Sequence, residues 1–222
     1  MQKKTSRLQS GFGVQDMTVG RPMDSLVRFS IPLLVGNLAQ QLYNTVDSIV
    51  VGQYIGDTAL AAVGTAGPIL NLLLVLFMGI ATGASILSAQ YFGAHDRPHL
   101  SRVVGASILL TVSSSILMGF VGFFASPWLM SLVNPPADVL DVIYLQIIFI
   151  GILGTATYNI LAGVLRGLGD SLMPLVSLLV ASLLNIVLDI VFVRDLRMGV
   201  AGVAIATILA QFASAALVLL VL

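Results

Sequence analysis

The chain has 222 residues, of which 58% are hydrophobic, 9% are charged and none is cysteine. Soluble domains carry about 25% charged residues, so this composition and a mean hydropathy of +1.03 exclude an ordinary soluble protein and indicate an integral membrane one. The net charge is zero and the ten Lys and Arg are dispersed, which excludes a basic nucleic-acid-binding face; the missing thiols exclude disulfides and thiolate metal sites.

A membrane-spanning helix needs about 20 mainly apolar residues. Residues 1–25 form a polar, basic tail with no apolar core before a small-residue cleavage site, so the first apolar run is itself a spanning helix. Six spans are predicted. The first covers 26–53 and is closed by Tyr54-Ile-Gly-Asp57. The second covers 59–92, with Pro68, Gly79 and Gly83 inside it. The third covers 101–124 and is followed by a turn with Pro127, Pro135 and Pro136. The remaining three cover 139–165, 172–193 and 200–222. The connections are short, so consecutive helices are expected to be antiparallel neighbours. The predicted fold class is an all-α integral membrane bundle with no inserted soluble domain.

Lys and Arg set the orientation. Lys3, Lys4, Arg7, Arg21 and Arg28 precede the first span, Arg97 and Arg102 follow the second, and Arg166 follows the fourth; only Arg194 and Arg197 lie on the other side. The expected N-terminus is cytoplasmic, in a multi-pass protein of the cell membrane. Residues 215–222 stop inside apolar sequence with no basic anchor behind them, so the chain is expected to be part of something longer.

The first span carries the most polar stretch. At about 100° per residue, Asn37, Gln41, Asn44 and Ser48 share a narrow face flanked by Gln40 and Asp47. Lipid does not tolerate such a face, which must look into a bundle or a wet cavity. Only two carboxylates lie deep in spanning segments, Asp47 and Asp189. No Lys, Arg or His lies at comparable depth, so each must be protonated, hydrated or paired with a mobile cation. Asn185 stands one turn before Asp189, with Ser182 continuing the line. Amide oxygens beside a carboxylate can solvate a proton donor or a small hard cation. Further one-sided stripes occur at Thr207, Gln211 and Ser214, at Thr155, Tyr158 and Asn159, and at Ser107, Thr111 and Ser114. Ser and Thr alone are common interhelical glue, but stripes on several helices together suggest a central polar cavity.

Glycines at 79, 83, 151 and 154 permit close helix packing or bending. Those in Gly163-Val-Leu-Arg-Gly-Leu-Gly-Asp170 lie at a cytoplasmic turn and supply positive φ, and Arg166 is expected to pair with Asp170 as a latch. The turn contains the Gly-x-Gly-Asp signature of intramembrane aspartyl proteases. That chemistry needs two Asp facing each other in the membrane, one of them following Tyr; Asp170 falls in a loop and no Tyr-Asp pair exists, so the chain is not read as an enzyme. His95 and His99 stand four apart, but Pro98 interrupts any helix between them and no third metal ligand is evident. They read as solvated loop residues, and no metal site is assigned apart from a possible Na⁺ at Asp47 and Asp189.

Several segments, in order, resemble the multidrug and toxic compound extrusion (MATE) transporters. Pro32, Asn37-Leu, Leu42-Tyr-Asn-Thr-Val-Asp47-Ser-Ile-Val-Val-Gly-Gln-Tyr-Ile-Gly56 and Ala59-Leu-Ala-Ala-Val-Gly64 are similar to the first helix and loop of that family. Gly83 to Ala94 resembles the end of its second helix. Leu161 to Asp170, Leu184-Asn-Ile-Val-Leu-Asp189 and Gly199 to Thr207 resemble the fourth to sixth. The resemblance implies a twelve-helix fold of two six-helix lobes around a V-shaped cavity, of which this chain would be the N-terminal lobe. It implies export of cationic or amphipathic drugs and metabolites in exchange for H⁺ or Na⁺, with no other cofactor. The cation-coupling site would be Asp47, Asp189, Asn185, Asn159 and Thr207, with Tyr144 or Tyr158 as a further member. Asn37, Gln40, Gln41, Asn44, Tyr158 and Gln211 would line the substrate cavity. Expected partners are small-molecule substrates, membrane lipid, and a second lobe or a second copy. Alternatives are a lipid or lipid-linked sugar flippase, for which the interior lacks basic residues to hold a pyrophosphate, and a non-transporting scaffold.

Overall fold

A computed structural model describes residues 22–132 and 142–222. Six helices follow one another: α1 Pro22–Tyr54, α2 Asp57–Gly93, α3 Arg97–Leu132, α4 Val142–Gly167, α5 Leu172–Asp189 and α6 Gly199–Leu219. A π-wound segment, Ile190–Asp195, continues α5 directly. Five of these are long and apolar enough to cross a membrane, α5 together with its π extension. The first is 33 residues long, about 50 Å at 1.5 Å per residue, and is set apart by its amide-rich stripe. The basic residues at 3, 4, 7 and 21, Pro135 and Pro136, and the predicted fourth-span residues 139–141 lie outside the described residues.

The helix ends follow from local chemistry. Gly56, at φ 111, takes the backbone conformation open to glycine and separates α1 from α2. Gly169 (φ 89) ends α4, with Asp170 N–H returning to Leu165 O at 2.9 Å and Gly169 N–H to Arg166 O at 3.1 Å. Asp170 then turns its Oδ1 to the N–H groups of Leu172 (3.0 Å) and Met173 (3.1 Å), capping α5. The expected Arg166–Asp170 pair is therefore absent: the carboxylate is occupied by the free amides of the first α5 turn. Among the described residues the only ion pair is His99 Nδ1 to Asp96 Oδ2, at 2.7 Å.

The third span runs farther than predicted, because Pro127 lies inside α3 and does not end it. Proline removes the N–H that would bond Phe123 O. The Gln146 side-chain amide of α4 approaches that carbonyl at 3.5 Å and offers it a donor.

Helix α4 is the hub, packed on α2, α3 and α6, while α1 lies chiefly against α5. Tyr144, Leu145, Phe149, Ile152 and Ala156 of α4 join Val51, Phe77, Met130 and Val203 in the main core. Small residues let these helices approach. A Cβ at Gly163 would stand 2.7 Å from Ala81 O, and one at Gly154 3.1 Å from the Phe212 ring; Gly151 and Gly167 are likewise closed in by Ile208 and the Ser85 carbonyl. Gly79 and Gly83, expected to serve packing or bending, have nothing within 4 Å. Close approach on α2 is made instead at Ala81 and Ser85, against glycines of α4 that the sequence suggested belonged to a turn.

Candidate functional site

Asp47 on α1 and Asp189 at the end of α5 come together where these two helices pack, their carboxyl groups within hydrogen-bonding reach of each other. Asp189 and Asn185 are fully buried. One turn apart on α5, they face α6 at Thr207. In the amide orientation that its neighbours require, Asn185 accepts from Thr207 N–H (3.1 Å) and donates to Asp189 Oδ2 (2.8 Å). The Thr207 hydroxyl stands 3.4 Å from the same amide. Oδ1 of Asp47 and Oδ1 of Asp189 are buried with no hydrogen-bond partner. Two carboxyl groups in reach of each other with orphaned oxygens can share a proton or hold a cation, and Asn185, Thr207 and Tyr43 beside them offer oxygen or amide groups suited to either.

Tyrosines complete the surround. Tyr43 lies against Thr207 and close to both carboxyl groups, and buried Tyr144 of α4 is near them as well. Tyr43 carries no signal in the sequence beyond its place one helical turn before Asp47, hence on the same face. The start of the π-wound segment immediately after Asp189 was also not foreseen; such windings recur at functional sites.

Two adjoining chambers open in the bundle, the larger between α1, α2, α4 and α6 and the smaller bordered by α5 as well. The larger, about 560 Å³, is lined by Gln40, Gln41, Asn44, Asp47, Asn71 and Gln211 among apolar side chains. The smaller, about 330 Å³, lies toward the α4–α5 turn and includes Asn37, Tyr158, Asn159 and Arg166. Gln40, Asn44, Leu74, Thr155 and Gln211 border both. The six residues expected at a substrate cavity all line one chamber or the other. Asn159 does not join the carboxyl pair: it lines the smaller chamber, and its amide donates to Thr155 O of its own helix at 2.8 Å. The Ser107–Thr111–Ser114 stripe borders neither chamber; the Thr111 and Ser114 hydroxyls bond back to carbonyls of α3. Arg166 corrects a further expectation, since the interior was read as free of basic residues. The fourth helix continues to Gly167, one turn past Gly163, and this carries the guanidinium into the chamber wall.

The MatE family profile matches residues 32–191. The chain belongs to the MatE family. Among its relatives is the probable multidrug resistance protein YpnP of Bacillus subtilis, 36% identical over 198 residues that cover 88% of this chain and 44% of that protein. YoeA of the same organism, also named a probable multidrug resistance protein, is 31% identical over 86% of this chain and 42% of its own. A multidrug resistance MATE family transporter solved in an outward-facing conformation superposes with a TM-score of 0.84 at 30% identity, covering 90% of this chain and 44% of that one. The chain thus spans less than half the length of the relatives it matches, and its six helices have the architecture of one MATE lobe. MATE proteins are transporters and not enzymes, and the Gly-x-Gly-Asp motif here serves as a helix stop and a helix cap.

Proposed function

We propose that the chain is the N-terminal lobe of a cation-coupled multidrug efflux antiporter. On this reading the Asp47–Asp189 pair takes up H⁺ or Na⁺ in exchange for a cationic or amphipathic small molecule held in the adjoining chamber. A second lobe completes the cavity, and export runs from the cytoplasmic, N-terminal side of the cell membrane outward. The observation that carries the reading is the contact of two carboxyl groups with unpartnered oxygens, one of them in the wall of a chamber of about 560 Å³. An ionisable group inside a spanning bundle costs about 2.5–3.5 kcal/mol on insertion scales, and two without a protein cation point to a mobile one. The names of the relatives and the excess of basic residues on the N-terminal side support the direction.

The test is ethidium efflux from proteoliposomes holding the complete protein, with imposed H⁺ or Na⁺ gradients. Asp47→Asn and Asp189→Asn are expected to insert and fold as wild type does but to lose ion-dependent efflux. Wild-type ion dependence in both variants would overturn the proposal.

A further inference from the structure

Among the described residues, Arg166 is the single charged side chain in the wall of the smaller chamber. It is part-buried, and among the described residues it makes no ion pair and no side-chain hydrogen bond. Its neighbour in sequence, Asp170, is taken up by the amides of Leu172 and Met173. The Tyr158 hydroxyl is likewise committed, donating to Pro174 O at 3.1 Å. A guanidinium stays charged at any accessible pH and presents five donors in a planar fork that matches a phosphate or carboxylate. Desolvating it in part without an anion carries a cost. The same chamber is lined by Leu33 from α1, Leu74 and Met78 from α2, and Leu175 and Leu178 from α5, beside amides such as Asn37 and Asn159. The chamber therefore combines one cation that has no anion among the described residues with a set of apolar side chains and neutral amides.

We propose that the smaller chamber binds an amphipathic molecule by its anionic headgroup, a phosphate or carboxylate. Arg166 forks onto the headgroup, and Leu33, Met78 and Leu175 hold the apolar part. This ligand class differs from the cationic substrates of the larger chamber, and the site does not depend on ion coupling at Asp47 and Asp189.

The test uses purified complete protein in neutral detergent, with fluorescently tagged phosphatidate, fatty acid and diacylglycerol as probes. Wild type is expected to bind the phosphatidate or the fatty acid and to bind diacylglycerol at least about tenfold more weakly. Hydrogen bonds to a charged group are worth about 1.5–3 kcal/mol, so Arg166→Gln should lose tenfold or more in affinity for the anionic probes. Arg166→Lys should lose less, and ethidium binding should not change. Leu175→Trp, which keeps the cation but fills the apolar wall, should weaken the same probes and so decides the matter if Arg166→Gln fails to fold. Equal affinity of wild type and Arg166→Gln overturns the proposal, as does equal affinity for diacylglycerol or an unaffected Leu175→Trp. Displacement of the tagged lipid by inorganic phosphate as effectively as by untagged phosphatidate would overturn the amphipathic occupant.

Discussion

Gly163 and Gly83 are both helical glycines in apolar sequence, and the structure gives them opposite fates. A Cβ built on Gly163 would stand 2.7 Å from Ala81 O and 3.2 Å from Ala81 C and Cβ, whereas one on Gly83 meets nothing within 4 Å. The atoms crowding Gly163 belong mainly to the α2 backbone, which cannot swing aside as a long side chain would. Gly163→Ala must push α2 from α4, and overpacking of this kind costs about 1–3 kcal/mol. At about 2–4 °C per kcal/mol for a chain of this size, the melting temperature should fall by roughly 2–12 °C. Gly83→Ala meets no obstacle and gains helix propensity of about 0.5–1 kcal/mol, so its melting temperature should hold or rise slightly. Thermal unfolding of both variants in one detergent, followed by far-ultraviolet circular dichroism, makes the comparison. Equal melting temperatures for the two would refute the assignment of close α2–α4 contact to Gly163.

Three further outcomes follow from particular contacts. Asp170→Ala should destabilise the protein by about 1 kcal/mol through loss of the α5 cap, while Asp170→Asn should be nearly neutral because Asn caps comparably; a similar loss in both, seen in thermal unfolding, would restore an ionic latch with Arg166. At the start of α3, the His99 N–H bonds Asp96 Oδ1 at 3.2 Å, and this, followed by the His99 ring and Arg102, holds the Asp96 carboxyl below its ordinary value of 3.8. A depressed carboxyl stabilises above its ordinary pKa and loses that contribution as pH falls through the lower folded value. Protection of the His99 amide against exchange, corrected for intrinsic rate, should therefore persist to acid pH in wild type and be low throughout in Asp96→Ala; equal protection in the two would remove the Asp96 carboxyl from this helix start. Gly67 borders the larger chamber with open space beside it, so Gly67→Phe should lower efflux of bulky ethidium more than efflux of tetramethylammonium; equal loss for both would separate the chamber from substrate passage.

Much of the fold was legible because lipid punishes deviation. Apolar runs of spanning length can be counted, and in a bilayer each must be a helix that satisfies its own backbone. Helix ends were legible where a residue acts alone, as Gly56 does. They were not where a distant group intervenes. Pro127 reads as a stop until Gln146, nineteen residues on in the sequence, is seen to approach the carbonyl that the proline leaves without a donor. The glycines show the same division. Their number on α4 was plain, but whether a glycine faces another backbone or open space depends on which helices pair, and periodicity carries no such information.

The site divides along the same line. The α1 stripe and the Asp189–Asn185 pair could be found because polar groups in apolar sequence must face inward. Their meeting depends on α1 packing against α5, which spacing within either helix cannot reveal. Tyr43 was missed because an aromatic residue in a spanning helix reads as packing, and only its place one turn from Asp47 marks it. Arg166 was misplaced through two residues of helix. With the fourth span ended at residue 165, the guanidinium belongs to a loop and pairs with Asp170; with α4 wound on to Gly167 and Asp170 committed to capping α5, the same guanidinium turns to the smaller chamber. The positive charge of that wall thus follows from the order Arg-Gly-Leu-Gly-Asp itself. The second glycine stops the helix at φ 89, the aspartate starts the next one, and the arginine is left with no carboxylate of its own segment to answer it.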